Sequence, residues 1–304
     1  MRTANKKKMK LQTKLFILFC IGLPVIDWVV FYIYPNLSAF VMAFTDRTGA
    51  FTLEHFGRFF ERLLSWNDEL TVVLKNTIIT WVIGTLMFPF QVLISYFIYK
   101  KVPGASVFRI IFFLPGLIFS VAFAMVFIRL IGPEGPIAQA VAQMDGLDYI
   151  PELLTETRYA NKVILAQYIW LCIPGNLIIW GGAFARIPEE VLESGYIDGT
   201  TWWTEFTRII VPMMWPTVAL QMVLQACAIF SASGQVFLLT GGDYGTHTIT
   251  SWMYVTVLNG TGNFETTNAY NYMAAVGMCL SIVAVTISLL VRKFTDNVIE
   301  EVEY

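Results

Sequence analysis

The chain has 304 residues, of which 56% are Ala, Val, Ile, Leu, Met, Phe, Trp, Tyr or Cys and only 14% are Asp, Glu, Lys or Arg. Soluble domains carry about 25% charged residues, so this supply cannot cover a water-facing surface; a soluble domain, a disordered chain and a disulfide scaffold are excluded, and a membrane protein remains. A net charge of −2 gives nucleic acid no electrostatic hold, so no nucleic-acid partner is expected.

Residues 1–14 (MRTANKKKMKLQTK) form a basic N-terminal segment. Residues 15–304 then read as one membrane domain with six apolar runs, each near the ~20 residues that cross a bilayer. They are 15–34 (ended by Pro35), about 78–99, about 110–131, about 163–184, 213–239 and 272–291. Backbone groups in hydrocarbon must be satisfied within their own segment, which predicts helices, hence an all-α fold. The first run is full span length and contains Pro24 and Asp27 with no small-x-small cleavage site after it, so it reads as a retained helix rather than a signal peptide. With the N-terminus inside, thirteen of the 20 Lys and Arg fall in inner segments, and the outer loop 240–271 has none. That bias predicts six transmembrane helices with both termini cytoplasmic, in the cell membrane. Cys20, Cys172, Cys227 and Cys279 lie far apart in apolar runs and His55 and His247 in outer loops, so no metal or redox site is indicated.

The informative segment is the inner connection between the fourth and fifth runs, ARIPEEVLESGYIDGTTWWTEFTRIIVPMMWP, residues 185–216. Pro188 suits a first helical position, and Glu189 and Glu190 suit the positive end of a helix dipole. Ile187, Val191, Leu192 and Tyr196 form one apolar face, while Glu189 and Glu193, four apart, share another. Gly199 breaks the helix, Asp198, Thr200 and Thr201 offer capping oxygens, and Trp202, Trp203 and Phe206 make a second short amphipathic piece. The object predicted is a helix–Gly turn–helix lying at the inner face.

These residues resemble a motif of the permease subunits of ATP-binding-cassette importers: E-A-A, three residues, Gly, nine residues, I-x-L-P. Here Glu193-Ser194-Gly195 stands for E-A-A, Tyr196-Ile197-Asp198 fills the gap, and Gly199 is the glycine. Residues 200–208 follow, then Ile209-Ile210-Val211-Pro212. The departures are Ser-Gly for Ala-Ala and Val211 for Leu. Ile197-Asp198-Gly199, Trp203, Phe206, Leu239-Thr240-Gly241-Gly242 and Asn76-Thr77 are similar to the carbohydrate-uptake branch, the maltose, multiple-sugar and glycerol-phosphate permeases.

The resemblance implies a type-1 membrane domain whose segment 188–212 couples to a separate ATPase through Glu189, Glu190, Glu193, Gly195, Asp198, Gly199 and Pro212. It implies no cofactor on this chain, which lacks a G-x-x-x-x-G-K-[ST] phosphate loop and is not itself an enzyme. ATP would be bound by partner subunits. The partners implied are a second permease subunit, two ATPase subunits, an extracytoplasmic solute-binding protein, the sugar and membrane lipid. Polar residues inside apolar spans are costly and mark candidate pathways: Gln167 and Asn176 in the fourth run, and Gln221, Gln225, Ser231 and Ser233 in the fifth. Amides and hydroxyls near aromatic rings suit a neutral polyol. The alternative is a self-sufficient secondary carrier for a small polar solute, although such a carrier usually needs intramembrane carboxylates, of which Asp27 is the one well inside a run.

Overall fold

The computed structural model describes residues 11–65, 69–231, 234–259 and 266–298. Among these residues the regular elements are all helical, and a single β-bridge pairs Thr45 with Phe51. α1 (Leu11–Trp28) runs through a π-helical turn (Val29–Ile33) into α2 (Tyr34–Ala43), making one apolar rod over Phe16–Ala43. The stop expected at Pro35 is therefore absent. Proline lacks the N–H of a regular turn, and here the widened turn absorbs that loss: the Tyr34 N–H reaches back five residues to the Val29 carbonyl.

α3 (Glu54–Leu64) precedes α4 (Glu69–Tyr99), which starts well before position 78. Within it Thr77 and Thr80 return their hydroxyls to the carbonyls of Val73 and Asn76, so that neither buried hydroxyl is left unpaired. The third run is broken: α5 (Ala105–Leu117) and α6 (Ser120–Ile131) meet at 106°. Pro115 and Gly116 weaken the last turn of α5, and Ile118 and Phe119 are extended, with ψ of 135° and 131°. α7 (Pro136–Met144) lies in the following loop, and α8 (Thr157–Phe184) ends where hydropathy placed its end.

The next connection carries α9 (Glu189–Ile197), α10 (Trp202–Glu205), a second π-helical turn (Phe206–Ile210) and α11 (Val211–Met213). α12 (Trp215–Cys227) then bends away from the preceding helix by 75°. The fifth run, read as one span, is interrupted too, since α12 ends at Cys227 and α13 (Gly234–Leu239) is separate. Side chains elsewhere satisfy carbonyls freed at this break: Trp81 Nε1 donates to Gln225 O at 2.8 Å, and Thr250 Oγ1 donates to Phe230 O. α14 (Ile249–Asn259) occupies what sequence read as plain outer loop, and α15 (Thr266–Val298) closes the described chain. By length and composition four helices can cross a membrane unbroken, and the two bent pairs bring the candidates to six.

The chain divides into two compact units. In the first, residues 1–60 with 260–279, the Thr45 carbonyl accepts from Asn271 Nδ2 at 2.7 Å and from His55 Nε2 at 3.1 Å, so the buried His55 carries its proton on Nε2. Asp46 closes the adjoining turn by accepting from Thr48 and Ala50, and the Thr48 hydroxyl holds its carboxyl below the usual range. The second unit, residues 61–259 with 280–304, holds the two apolar cores that position the site. One packs Phe127 and Ile131 with Tyr159, Ile164 and Val236. The other packs Tyr96, Trp180, Phe184, Ile187, Phe206 and Ile210 where α4 and α8 end.

Candidate functional site

The connection between α8 and α12 is a helix–turn–helix seated on that second core. α9 opens with Pro188 just outside the helix, at ψ 135°, rather than inside it as sequence suggested; Glu189 and Glu190 form the first turn. The helix closes in a left-handed cap. Gly199 takes φ +71°, its N–H bonds Tyr196 O at 3.1 Å, and Thr200 N–H reaches Gly195 O at 3.1 Å. This paired 5→2 and 6→1 closure requires the left-handed residue that glycine supplies without strain. Thr200 adds its hydroxyl to Gly195 O at 2.8 Å, and Thr201 caps α10 by accepting from Thr204 N–H.

Gly195 has a second duty. A Cβ there would lie 3.0 Å from Ile209 Cδ1 and 3.3 Å from Thr200 Oγ1, so its bareness lets the two arms close on each other. The apolar face differs from the expected one. Ile187 is buried and Val191 and Leu192 are half-buried, but Tyr196 is 84% and Ile197 83% exposed. Helical spacing from Val191 turns Gly195 inward, so Tyr196 falls outside the stripe, at the tip. Glu189, Glu190, Glu193 and Asp198 are exposed, giving the tip an acidic flank around two bare apolar side chains. Pro212, half-buried in α11, again follows a π-helical turn, in which the Val211 N–H bonds Phe206 O.

Sequence reading missed what ties this loop to α4. Lys100 Nζ lies 2.5 Å from Glu205 Oε1, with the carboxylate side chain 11% exposed. Rings close round the pair: Tyr96 on Phe206, Phe97 on Trp202, and Tyr99 stacked on Phe184. A groove of about 600 Å³ beside it is lined by Lys100, Lys101, Glu189, Glu193, Tyr196 and Ile197 among others.

Four of the six pathway candidates lie in the middle of the second unit. Asn176 Nδ2 donates to Gln91 Oε1 at 2.9 Å, and Gln221 Nε2 donates to Asn176 Oδ1 at 3.4 Å, a chain of amides across α4, α8 and α12. Gln225 instead lies beside Tyr168; Gly84 opposite leaves the room for both, since a Cβ there would meet Tyr168 Oη at 2.6 Å and Gln225 Nε2 at 2.8 Å. Gln167 is 2% exposed and its Oε1 accepts no hydrogen bond among the described residues. Ser231 is exposed at the α12 break, and Ser233 lies outside the described residues.

The two weak sequence strings meet at the opposite end of α4. Asn76 Nδ2 donates to the carbonyls of Gly245 and His247, at 2.8 and 3.0 Å, and Thr77 Oγ1 accepts from Ile249 N–H at 2.8 Å. The loop they clamp begins with Thr240-Gly241-Gly242, both glycines at positive φ, and a Cβ on Gly242 would fall 1.9 Å from the His247 ring. Burial holds the His247 imidazole below its ordinary value, against the opposing carboxylates of Glu69 and Asp243.

The described residues thus form apolar helical spans interrupted by an exposed, glycine-capped helix pair. No family model matches the chain. It is 23% identical over 281 residues to the multiple sugar-binding transport system permease protein MsmF of Streptococcus mutans, covering 90% of this chain and 93% of that one. With the lactose transport system permease protein LacF of Rhizobium radiobacter it shares 22% over 264 residues, covering 86% and 87%. With the osmoprotective compounds uptake permease protein GgtC of Synechocystis it shares 27% over 231 residues, covering 74% and 75%. In three dimensions it matches a chain of a bacterial ABC transporter involved in the import of the acidic polysaccharide alginate, with TM-score 0.77 and 23% identity over 95% of this chain and 98% of that one. A second alginate transporter structure, in complex with an alginate-pentasaccharide-bound periplasmic protein, gives 0.74. The chain is thus a relative of the permease subunits of sugar ABC transport systems, a multi-pass protein of the cell membrane.

Proposed function

We propose that this chain is one of two permease subunits of an ATP-driven importer and forms part of the pathway for a sugar or oligosaccharide. Six crossings with both termini in the cytoplasm put the α9–α10 pair on the cytoplasmic side. There it docks on one of two separate ATPase subunits, and a solute-binding protein delivers the sugar to the far face. The observation that carries this reading is the exposed tip at Tyr196–Asp198, held by the Gly199 cap on the core that joins α4 and α8. A segment meant to rest on lipid would bury those apolar side chains in lipid and surround them with cations; here the flank is Glu189, Glu190, Glu193 and Asp198.

The mechanism follows from the packing. ATP-driven closure of the partner subunits displaces the docked pair as a unit, because the Schellman closure and the Gly195–Ile209 approach make its two arms one body. The bends at Ile118–Phe119 and Met214 then permit helix segments to swing against one another. Gln225 with Tyr168 and the amides of Gln91, Asn176 and Gln221 supply neutral hydrogen-bonding groups for polyol hydroxyls once the helices part, and Gln167 presents a free acceptor. Ser231, exposed at the α12 break, belongs to the same proposed lining. The sugars and osmoprotective compounds after which the relatives are named are consistent with such a lining.

Purifying this chain from its native membrane in mild detergent tests the proposal. Co-purification of a nucleotide-binding subunit is expected, and Glu193→Arg should abolish ATP-coupled uptake while insertion in the membrane is unchanged. Uptake that persists without any ATPase partner would instead support the secondary carrier.

A further inference from the structure

The helix pair is joined by backbone to α8 before it and to α12 after it, so both receive any displacement covalently. α4 does not. Its inner end, Tyr96 to Lys101, reaches the pair through ring contacts and one ion pair, Lys100–Glu205. The ion pairs Arg58–Glu54, Arg158–Asp145 and Arg292–Asp296 are all more exposed at their carboxylates. Two features make this pair unlike a packing filler. Its carboxylate sits at the seam between α10 and the π-helical turn, among Tyr96, Phe206 and Trp202, where an apolar side chain would serve static packing as well. And the turn that presents Lys100 is held in an unfavourable form, with Lys101 at φ +51° and its N–H bonded to Ile98 O at 3.3 Å.

We infer that Lys100 and Glu205 are positioning residues, a pin that carries movement of the coupling pair into α4. The inference rests on the coupling function proposed above. α4 is the helix that matters for the pathway, since it presents Gln91 to Asn176 and Gly84 to Tyr168 and Gln225. Ring contacts can slide; a short ion pair with a largely buried carboxylate fixes register and direction.

The test uses the complex purified through this chain, with the native cysteines replaced and spin labels at Lys101 or Ala185, each paired with one at Asp148. The probe is MgATP with vanadate, so no sugar need be identified. In the unaltered pair both distances are expected to change on trapping. In Lys100→Met/Glu205→Leu, which restores an apolar seam, the Ala185 distance should still change while the Lys101 change is lost. The exchanged pair Lys100→Glu/Glu205→Lys should recover it. An Lys101 response that survives in the apolar variant overturns the inference. Silence of both distances in the unaltered complex overturns the coupling function instead, as does failure of any ATPase subunit to co-purify.

Discussion

Gly199, Gly242 and Gly84 are required for three different reasons, and substitution separates them. Gly199 has open space around its absent Cβ, so Gly199→Ala is expected to cost only the left-handed conformation, about 1 kcal/mol, read as a small drop in the unfolding midpoint in detergent. Gly242→Ala must also evict the His247 ring and should cost about 2 kcal/mol or more by the same measurement. Gly84→Ala meets two side-chain tips rather than backbone, so stability should fall by about 1 kcal/mol while uptake falls more steeply, because Tyr168 and Gln225 are displaced. His247 adds a pH dependence. Its folded pKa is depressed, so its contribution is complete above the ordinary imidazole value near 6.5 and declines as acid protonates the ring. Amide exchange across residues 240–248 should quicken from pH 7 to pH 5; exchange independent of pH, after correction for intrinsic rates, would contradict that account. The need for Gly199 was legible from its place between two amphipathic pieces. Those for Gly84 and Gly242 were not, because each depends on a side chain brought from another element, Tyr168 across from α4 and His247 back over its own loop.

At the scale of elements, hydropathy located the six candidate spans but not their interruptions, and it passed over the shorter apolar α14. Pro35 read as a stop because sequence alone offers no sign that a π-helical turn will precede it. The same device precedes Pro212, and in both places the residue before the proline bonds five residues back. Pro115 and Gly116 lie in the last turn of α5, but the 106° reversal depends on Ile118 and Phe119 adopting extended backbone, which no local pattern demands. The spacing from Glu193 to Pro212 foretold a helix–turn–helix, and one forms. Tyr196 was put on the buried face because periodicity treats α9 as endless, whereas the Schellman closure ends it and Gly195 takes the inward place. Between elements, the amides of Gln91, Asn176 and Gln221 depend on one another. Asn176→Leu should strand two amides and destabilise the bundle by about 2 kcal/mol, seen as a lower midpoint than for Gln91→Leu/Asn176→Leu/Gln221→Leu.

For the whole molecule, the central claim is that a rigid helix pair, acidic at its flank and bare at its tip, receives force from another protein. The sequence has no G-x-x-x-x-G-K-[ST] loop, and the polar centre described in the second unit is built on the amides of Gln91, Asn176 and Gln221. The sequence motif, the left-handed cap and the exposed Tyr196 and Ile197 fall on one place, the proposed site for a protein partner. The most direct measurement replaces Tyr196 with a photo-crosslinking phenylalanine analogue in intact membranes and identifies the adduct after illumination. A covalent adduct with a nucleotide-binding subunit, lost when Gly199→Val disturbs the cap, is the predicted result. Adducts with lipid alone, in a chain that is inserted and active in uptake, would contradict it.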